Sequence, residues 1–246
     1  MSRPTPNATE IVAGLTRYSA DMPSGVNLAD NTNLWGPPPA AAAAIAAAAT
    51  EAVGYPSLYG EALKDAVAGT FGVAPEAVVT GCGSDNVLDA TMRAFAGPGR
   101  RVVYSAPTFV MLSVFGTLSG ATVVPVPFAA DGDIDPAALL AADGDVTYIC
   151  APNNPTAVAP TPAHVDRVIA DARGLVVIDE AYAEFSGISW LTRAAANDRV
   201  VVARTFSKAY GLAGVRAGFG VAAPGIIAAI ERARGPYTLN VIAERA

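Results

Sequence analysis

Residues Val200 to Val221 read VVVARTFSKAYGLAGVRAGFGV and contain two apolar runs, Val200 to Arg204 and Ala217 to Val221. Continuous apolar runs of this kind predict strands that are buried on both faces of a sheet. The connection between them, Thr205 to Arg216, is short and contains two glycines. Parallel neighbours need a longer, usually helical connection, so we expect the second strand to be antiparallel or to return irregularly.

Five further apolar runs precede this stretch and alternate with segments of helical character. One predicted helix spans Ser84 to Phe95, and another spans Thr161 to Ala172, with Pro162 in its first turn. Strands that alternate with helices predict an α/β fold, here a seven-stranded, mostly parallel sheet sandwiched by helices. The five runs are Ala77 to Thr80, Arg101 to Ser105, Thr122 to Phe128, Val146 to Cys150 and Leu175 to Ile178.

The composition limits the class of protein. Of the 246 residues, 52% are apolar, so the chain can bury a substantial core and is neither disordered nor a disulfide-stapled miniprotein. The net charge of -6 argues against a nucleic-acid surface. Neither a run long enough for a membrane helix nor a signal peptide is visible. We expect a soluble, cytoplasmic protein that binds neither nucleic acid nor membranes.

Two scarce residue types restrict the chemistry. The single histidine, His164, and the two distant cysteines, Cys82 and Cys150, match no ligand spacing, so we expect no metal site. Lysine occurs only at Lys64 and Lys208. Any reaction that needs a lysine amine therefore has two candidates.

Residues that could take part in binding or catalysis follow three of the predicted strands. In open α/β sheets, ligands bind at the carboxyl ends of the strands. A glycine-rich turn, Thr80 to Asp85, opens a helix whose free N–H groups suit a phosphate. Asp179 follows four apolar residues directly. Lys208 lies between hydroxyl residues and Arg216. Arginine favours phosphate contact, and a partly desolvated lysine can form a Schiff base.

Two nucleotide-binding alternatives fit these residues less well. Asn86 stands where a dinucleotide-binding fingerprint has its third glycine, and no acidic residue follows the second strand. The phosphate loop of nucleotide hydrolases requires Gly-x-x-x-x-Gly-Lys-Ser/Thr, which occurs at neither lysine. The sequence therefore disfavours both classes.

Three blocks, in this order, carry a resemblance to a known family: APNNPTA (Ala151 to Ala157), VVIDEAYAEF (Val176 to Phe185) and RTFSKAYGLAGVRAGF (Arg204 to Phe219). They resemble the blocks of fold-type I, pyridoxal-phosphate-dependent class I/II aminotransferases, most of all histidinol-phosphate aminotransferases. The resemblance implies the cofactor pyridoxal 5'-phosphate. It also implies amino-group transfer between an amino acid, histidinol phosphate or an aromatic one, and a 2-oxo acid.

The resemblance assigns a role to each matching residue. Lys208 would carry the cofactor covalently and, once freed, act as the general base. Asp179 would pair with the pyridine nitrogen and keep it protonated, so that the ring accepts electrons. Asn154 and Tyr182 would hydrogen-bond the ring's phenolic oxygen, and Phe109 would stack on the ring.

The cofactor phosphate would be held from several directions. A tyrosine of the neighbouring subunit reaches it in the family, and Tyr55 matches that residue, which implies a homodimer with shared active sites. The other phosphate contacts would come from the backbone of Gly83, Ser84 and Asp85, the hydroxyls of Thr205 and Ser207, and Arg216.

The resemblance divides the chain into three parts. These are an N-terminal arm (1–45), a large cofactor-binding domain (46–224), and the start of the interdomain helix with a truncated C-terminal small domain (225–246). We expect most of the small domain, with the family's arginine for the substrate carboxylate, to be missing. The family's Asn-Pro-Thr-Gly ends here in Ala157, which costs backbone freedom if that position needs a positive φ.

Two functional alternatives and the substrate stay open. One alternative is a decarboxylase of the same fold, and the other is a non-catalytic aminotransferase-like domain that binds a ligand. Three aromatic residues, Tyr18, Trp35 and Phe109, suit an aromatic or imidazole substrate but equally suit packing of a dimer.

Overall fold

The computed structural model of the chain describes residues 8–17 and 29–246. Within these residues, seven strands form one sheet in the order β1-β7-β6-β5-β4-β2-β3. The predicted seven-stranded sheet is therefore confirmed. The strands are β1 (Val78–Cys82), β2 (Arg101–Ala106), β3 (Thr122–Pro127), β4 (Val146–Cys150), β5 (Leu175–Asp179), β6 (Val200–Thr205) and β7 (Ala217–Val221).

Helices cover both faces of this sheet, as the alternating pattern predicts. The two helices predicted individually are confirmed within a residue at each end, as Gly83–Phe95 and Pro162–Asp171. The helices are α1 (Glu10–Ala13), α2 (Pro39–Ala48), α3 (Glu61–Phe71), α4 (Gly83–Phe95), α5 (Met111–Leu118), α6 (Pro136–Ala141), α7 (Pro162–Asp171), α8 (Ala183–Ser186), α9 (Leu191–Ala194), α10 (Pro224–Ala233) and α11 (Val241–Arg245).

The direction of the last strand follows from its short connection. Strands β2 to β6 pair in parallel, whereas β7 is antiparallel to both β1 and β6. Between β6 and β7 the chain turns at Gly211, whose φ is +66°, and through a short 3-10 turn at Ala213–Val215. This compact turn cannot carry the chain back along the sheet, so β7 returns in the opposite direction.

The core consists of one apolar layer on each face of the sheet. Successive strand residues point to opposite faces, so Ile149 and Ile178 pack in one layer and Tyr148 and Val177 in the other. Every residue of β4, β5, β6 and β7 is buried. Burial of each large apolar side chain contributes about 1.5–3 kcal/mol, and it holds the ends of these central strands in fixed positions.

Two glycines allow α4 to begin directly against β7. A Cβ atom on Gly218 would lie 2.3 Å from the backbone nitrogen of Ser84. Gly83 has a φ of +76°, and its N–H donates to the carbonyl of Arg216 at 3.1 Å. The N-terminus of α4 therefore reaches the edge of the sheet where β5 and β6 end.

We expect Gly218→Ala to lower the free energy of unfolding by about 2–3 kcal/mol, because the added methyl group meets backbone atoms that cannot rotate away. Urea denaturation of the purified chain measures this change. Gly225→Ala is the matched control: it lies in the first turn of α10 with nothing within 4 Å of the new Cβ, so its stability should stay equal or rise slightly. Equal stabilities for the two variants would contradict the close approach of α4.

Candidate active site

A cavity of about 360 Å³ lies where β4, β5 and β6 end and α4 begins. It brings together nearly all the residues that the sequence predicts for a site. Gly83 adjoins the cavity beside Arg216, while Tyr55 is not among the lining residues. The predicted residues that line the cavity are Ser84, Asp85, Phe109, Asn154, Asp179, Tyr182, Thr205, Ser207, Lys208 and Arg216.

Asp179 ends β5 and is buried, with 3% of its surface exposed. Its Oδ2 accepts from the Tyr148 hydroxyl at 2.8 Å and its Oδ1 from the backbone N–H of Ala181 at 3.1 Å. Burial, together with the nearby charges of Asp85 and Glu180, raises the pKa of Asp179 from its ordinary 3.8 to about 6, against the lowering effect of the two hydrogen bonds. Among the described residues its hydrogen-bond partners are neutral, and no basic side chain forms an ion pair with it.

The neighbouring Glu180 shows the contrasting arrangement. It is fully buried, and its Oε2 accepts from two guanidinium nitrogens of Arg204 at 2.8 and 2.9 Å. Its Oε1 accepts from the backbone N–H of Trp190 at 2.6 Å. The charge of this carboxylate is compensated, and removing Arg204 would leave it buried and unpaired, whereas Asp179 keeps its charge available to the cavity.

Lys208 follows β6 and is half-buried in the cavity wall. Its Nζ donates to the backbone carbonyl of Asp30 and lies 5.8 Å from the centre of the Tyr182 ring. Burial and the positive charge of Arg216 lower the pKa of Lys208, while Asp30, Asp85 and Asp179 oppose that shift. An amine with a lowered pKa is more often neutral, and therefore more nucleophilic, at neutral pH.

Hydroxyl groups and a guanidinium meet at one end of the cavity. The buried Thr205 hydroxyl donates to the Ser207 hydroxyl at 2.9 Å, and the Ser207 N–H donates to Thr205 Oγ1 at 3.1 Å. Arg216 Nη1 lies 3.4 Å from Ser207 Oγ, and its Nη2 lies 3.2 Å from Asp85 Oδ2. A Cβ on Gly83 would lie 2.7 Å from that Nη2. Together with the N-terminus of α4, these groups form a candidate anion-binding site at this end of the cavity.

A short segment of the N-terminal region closes one side of the cavity. The Nδ2 of Asn31 donates to the Tyr182 hydroxyl at 2.9 Å, and that of Asn33 donates to the carbonyl of Ala209 at 2.9 Å. Asp30 and Thr32 contribute to the cavity lining. The segment from 30 to 33 thus contacts Lys208, its neighbour Ala209 and the Tyr182 hydroxyl.

The loop after β4 is held by a buried asparagine. Asn153 accepts from the Thr108 hydroxyl at 2.7 Å and donates to the Pro107 carbonyl at 3.1 Å, and these contacts place Asn154 in the cavity wall. Ala157, at the end of this loop, has a φ of +58°. The backbone cost expected at Ala157 is therefore present, because a Cβ disfavours this left-handed region.

Sequence reasoning missed several residues that shape the site. Tyr148, Cys150, Asp30 and Thr32 all contact it or line it. The one available signal was Tyr148 itself, because a tyrosine within an apolar buried strand needs a partner for its hydroxyl. The other three gave no signal, since their approach depends on how strands and segments distant in the chain come together.

The remaining predicted residues lie elsewhere. Trp35 is 94% exposed and Tyr55 is 85% exposed, and the Tyr55 ring packs 5.0 Å from that of Tyr237. Tyr18 falls outside the described residues. Over residues 8–17 and 29–246, no group of His, Cys, Asp and Glu could hold a metal ion. The helices described in these ranges are too short or too polar to cross a membrane.

Comparison with known proteins gives a consistent picture. A family model described as aminotransferase class I and II matches residues 23–246. An aromatic amino acid aminotransferase of Rhodococcus jostii is 38% identical over 92% of this chain, and histidinol-phosphate aminotransferase 1 of Nostoc sp. is 35% identical over 77%. These matches cover 65% and 54% of the two relatives, so the chain spans roughly half to two thirds of their length.

Solved structures extend the likeness to the fold. The histidinol-phosphate aminotransferase of Sinorhizobium meliloti, solved in complex with pyridoxal-5'-phosphate, has a TM-score of 0.83 and 29% identity. The match covers 96% of this chain and 69% of that one. The predicted fold class, the mostly parallel sheet of the fold-type I enzymes, is confirmed.

The unpaired charge of Asp179 should contribute a loss of stability to the cofactor-free chain as the pH rises. Between pH 3.8 and about 6 the folded chain holds a proton on Asp179 that the unfolded chain has released, so raising the pH through this window favours unfolding. Asp179→Asn removes the charge. We expect it to be more stable than the parent by roughly 2–3 kcal/mol above pH 6 and to lose this advantage towards pH 4.

Urea denaturation at a series of pH values measures the difference. Asp171→Asn is the control, because that side chain is 58% exposed beside Arg167 and should give a difference near zero at every pH. An advantage of Asp179→Asn that does not change between pH 4 and 7 would contradict the raised pKa.

Proposed function

Since this chain belongs to the aminotransferase class I and II family, we propose that its cavity binds pyridoxal 5'-phosphate. In this proposal the protein transfers an amino group between an amino acid and a 2-oxo acid. The observation that carries the proposal is that Asp179, at the end of β5, and Lys208, after the adjacent β6, line the same cavity. Asp179 is a buried carboxylate without an ion pair among the described residues, Lys208 supplies an amine, and the cavity also has an anion-binding end.

The residues present fit this cofactor. A buried carboxylate without a cation is costly, and a protonated pyridine nitrogen would supply the missing positive charge beside Asp179. The hydroxyls of Thr205 and Ser207, the guanidinium of Arg216 and the N-terminus of α4 suit a phosphate. When bound, the cofactor withdraws electrons from the carbon whose proton is removed.

The side chains of this chain divide the work. Lys208, with its lowered pKa, would hold the cofactor covalently and then, as the freed amine, move the proton between the substrate's α-carbon and the cofactor's C4′. Asp179 would hold the proton on the ring nitrogen. Asn154 and Tyr182 would orient the ring through its phenolic oxygen, with the Tyr182 hydroxyl itself held by Asn31, and Phe109 would cover the ring face.

The substrate class follows the relatives, one named for histidinol phosphate and another for aromatic amino acids. We include both in the proposal. The division into an arm (1–45), a large domain (46–224) and the start of a small domain (225–246) stays a prediction, as does a cytoplasmic location. The boundary at residue 45 falls inside α2.

A homodimer with shared sites is part of the proposal. Tyr55 lies outside the cavity and is 85% exposed, and Trp35 and Val53 are 94% and 97% exposed. Exposed aromatic and apolar side chains of this kind are typical of subunit interfaces. In such a dimer Tyr55 of the partner subunit would reach the phosphate end of the cavity.

Lys208→Ala should abolish covalent attachment of pyridoxal phosphate and all amino-group transfer, because the chain then lacks the amine in the cavity. The purified chain is mixed with the cofactor, reduced with borohydride and digested, and the modified peptide is identified by mass spectrometry. We expect the label on Lys208.

Lys64→Ala is the control for this experiment. Lys64 lies in α3 and forms an ion pair with Glu231, so its replacement should leave labelling unchanged. Labelling retained in Lys208→Ala would overturn the assignment. Incubation with histidinol phosphate, phenylalanine or aspartate then separates the functions: transfer yields an oxo acid, a decarboxylase releases carbon dioxide, and a binding domain yields neither product.

Mixing Lys208→Ala chains with Tyr55→Ala chains should restore activity that neither variant has alone. In a hybrid dimer one site would lack both residues, while the other would combine an intact Lys208 with an intact Tyr55 from its partner. Activity after mixing and re-association, measured against each variant alone, tests this. The absence of any recovery, although sedimentation shows hybrid dimers, would contradict shared sites.

A further inference from the structure

A buried tyrosine behind the cavity contacts the key carboxylate. Tyr148 lies in the middle of β4 and is fully buried, and its hydroxyl donates to Asp179 Oδ2 at 2.8 Å. The contact joins the adjacent parallel strands β4 and β5. It is a diagonal contact, because the register places Cys150, not Tyr148, opposite Asp179. The tyrosine ring therefore reaches along the sheet towards the end of β5.

Towards an ionised Asp179 the Tyr148 hydroxyl can act only as a donor. Burial, together with the negative charge of Asp179, raises the pKa of Tyr148 well above its ordinary value, so the phenol stays protonated. One oxygen of Asp179 is held by this hydroxyl and the other by the N–H of Ala181. Two donors on two oxygens fix the plane of the carboxylate, and each oxygen can still accept a second bond from the cavity.

We propose that Tyr148 is a positioning residue that orients Asp179 and keeps it ionised, so that the carboxylate can receive a cationic ring nitrogen. The inference rests on the proposed function, because it presumes that a cofactor with such a nitrogen enters the cavity. Tyr148 lies in the interior of the sheet, whereas the other residues proposed to hold the cofactor lie at the ends of strands or in the segments that follow them.

Several other titratable groups lie around Asp179, and some of them change its pKa. From α4, Asp85 raises the pKa of Asp179, and Glu180 does so from the end of the same strand. Lys208, after β6, is a cation that senses the charge of Asp179. Cys150, on β4, stays a neutral thiol because burial raises its pKa. Tyr148 is thus a main influence that favours ionised Asp179, and a hydrogen bond to a charged group corresponds to about one pKa unit.

The test is the pH dependence of two quantities in the parent chain and in Tyr148→Phe. Carbon-13 NMR of aspartate-labelled, cofactor-free chain measures the pKa of Asp179, with its signal assigned by its loss in Asp179→Asn. Absorbance titration with pyridoxal phosphate between pH 5 and 8 measures affinity. We expect the pKa of Asp179 to rise by about one unit in Tyr148→Phe. Affinity should fall several-fold at pH 6 and be nearly unchanged at pH 8.

Matched variants separate this role from damage to the core. Tyr104→Phe removes a hydroxyl from the neighbouring strand at the register position opposite Tyr148, and it should change neither quantity. In an Asp179→Asn background, adding Tyr148→Phe should have no further effect on affinity. An affinity loss of equal factor at every pH would indicate a merely structural role and would overturn the proposal.

The outcomes also separate this inference from the proposed function. An unchanged pKa of Asp179 in a folded Tyr148→Phe overturns the role of Tyr148, whether or not the cofactor binds. A raised pKa in a chain that binds no pyridoxal phosphate at any pH overturns the proposed function instead. If Tyr148→Phe does not fold, the Tyr148 phenol is titrated in Asp179→Asn: it should ionise at lower pH than in the parent, and an unchanged titration overturns the coupling.

Discussion

The close approach of α4 to β7 is the contact on which the site depends. It exists because residue 218 has no Cβ, which would otherwise lie 2.3 Å from a backbone nitrogen of the helix. With the helix in this place, its N-terminus adjoins Arg216, whose guanidinium contacts Asp85 and lies near the Ser207 hydroxyl. Any outward displacement of α4 would separate these groups, so a packing constraint between two backbones sets the geometry of the anion-binding end.

The cavity combines two carboxylates that the fold treats differently. Glu180 is neutralised by Arg204 and belongs to the packed interior. Asp179, one residue earlier, receives hydrogen bonds from neutral donors only, among the residues described, and therefore retains a charge that the interior does not compensate. Burying such a charge is unfavourable for the chain alone and favourable once a cation arrives. The chain without a ligand is thus less stable, because the buried charge of Asp179 is neutralised only when a cationic group binds. Functional sites commonly carry such a cost in stability.

Much of this arrangement was predictable from local sequence. Apolar runs predicted all seven strands, and the short connection from Thr205 to Arg216 predicted that β7 would be antiparallel or return irregularly. The three family-like blocks contain seven of the ten predicted residues that line the cavity, and the other three, Ser84, Asp85 and Phe109, lie outside the blocks. The contacts of Tyr148 and Asn31 were not predictable, because each joins segments that are separated by 31 and 151 positions in the chain. The conformation of Ala157 was a conditional expectation that needed a measured φ.

The sequence by itself determined which groups are available: one lysine beside hydroxyls, one aspartate behind four apolar residues, and glycines where the backbone must turn. These are properties of residues that are neighbours in the sequence, so residue propensities and hydrophobic periodicity can reveal them. Only the tertiary structure decided which carboxylate is neutralised, what holds the Tyr182 hydroxyl, and that a core tyrosine touches Asp179. Those outcomes depend on distances between strands and segments that are remote in sequence, and packing of the whole sheet sets such distances.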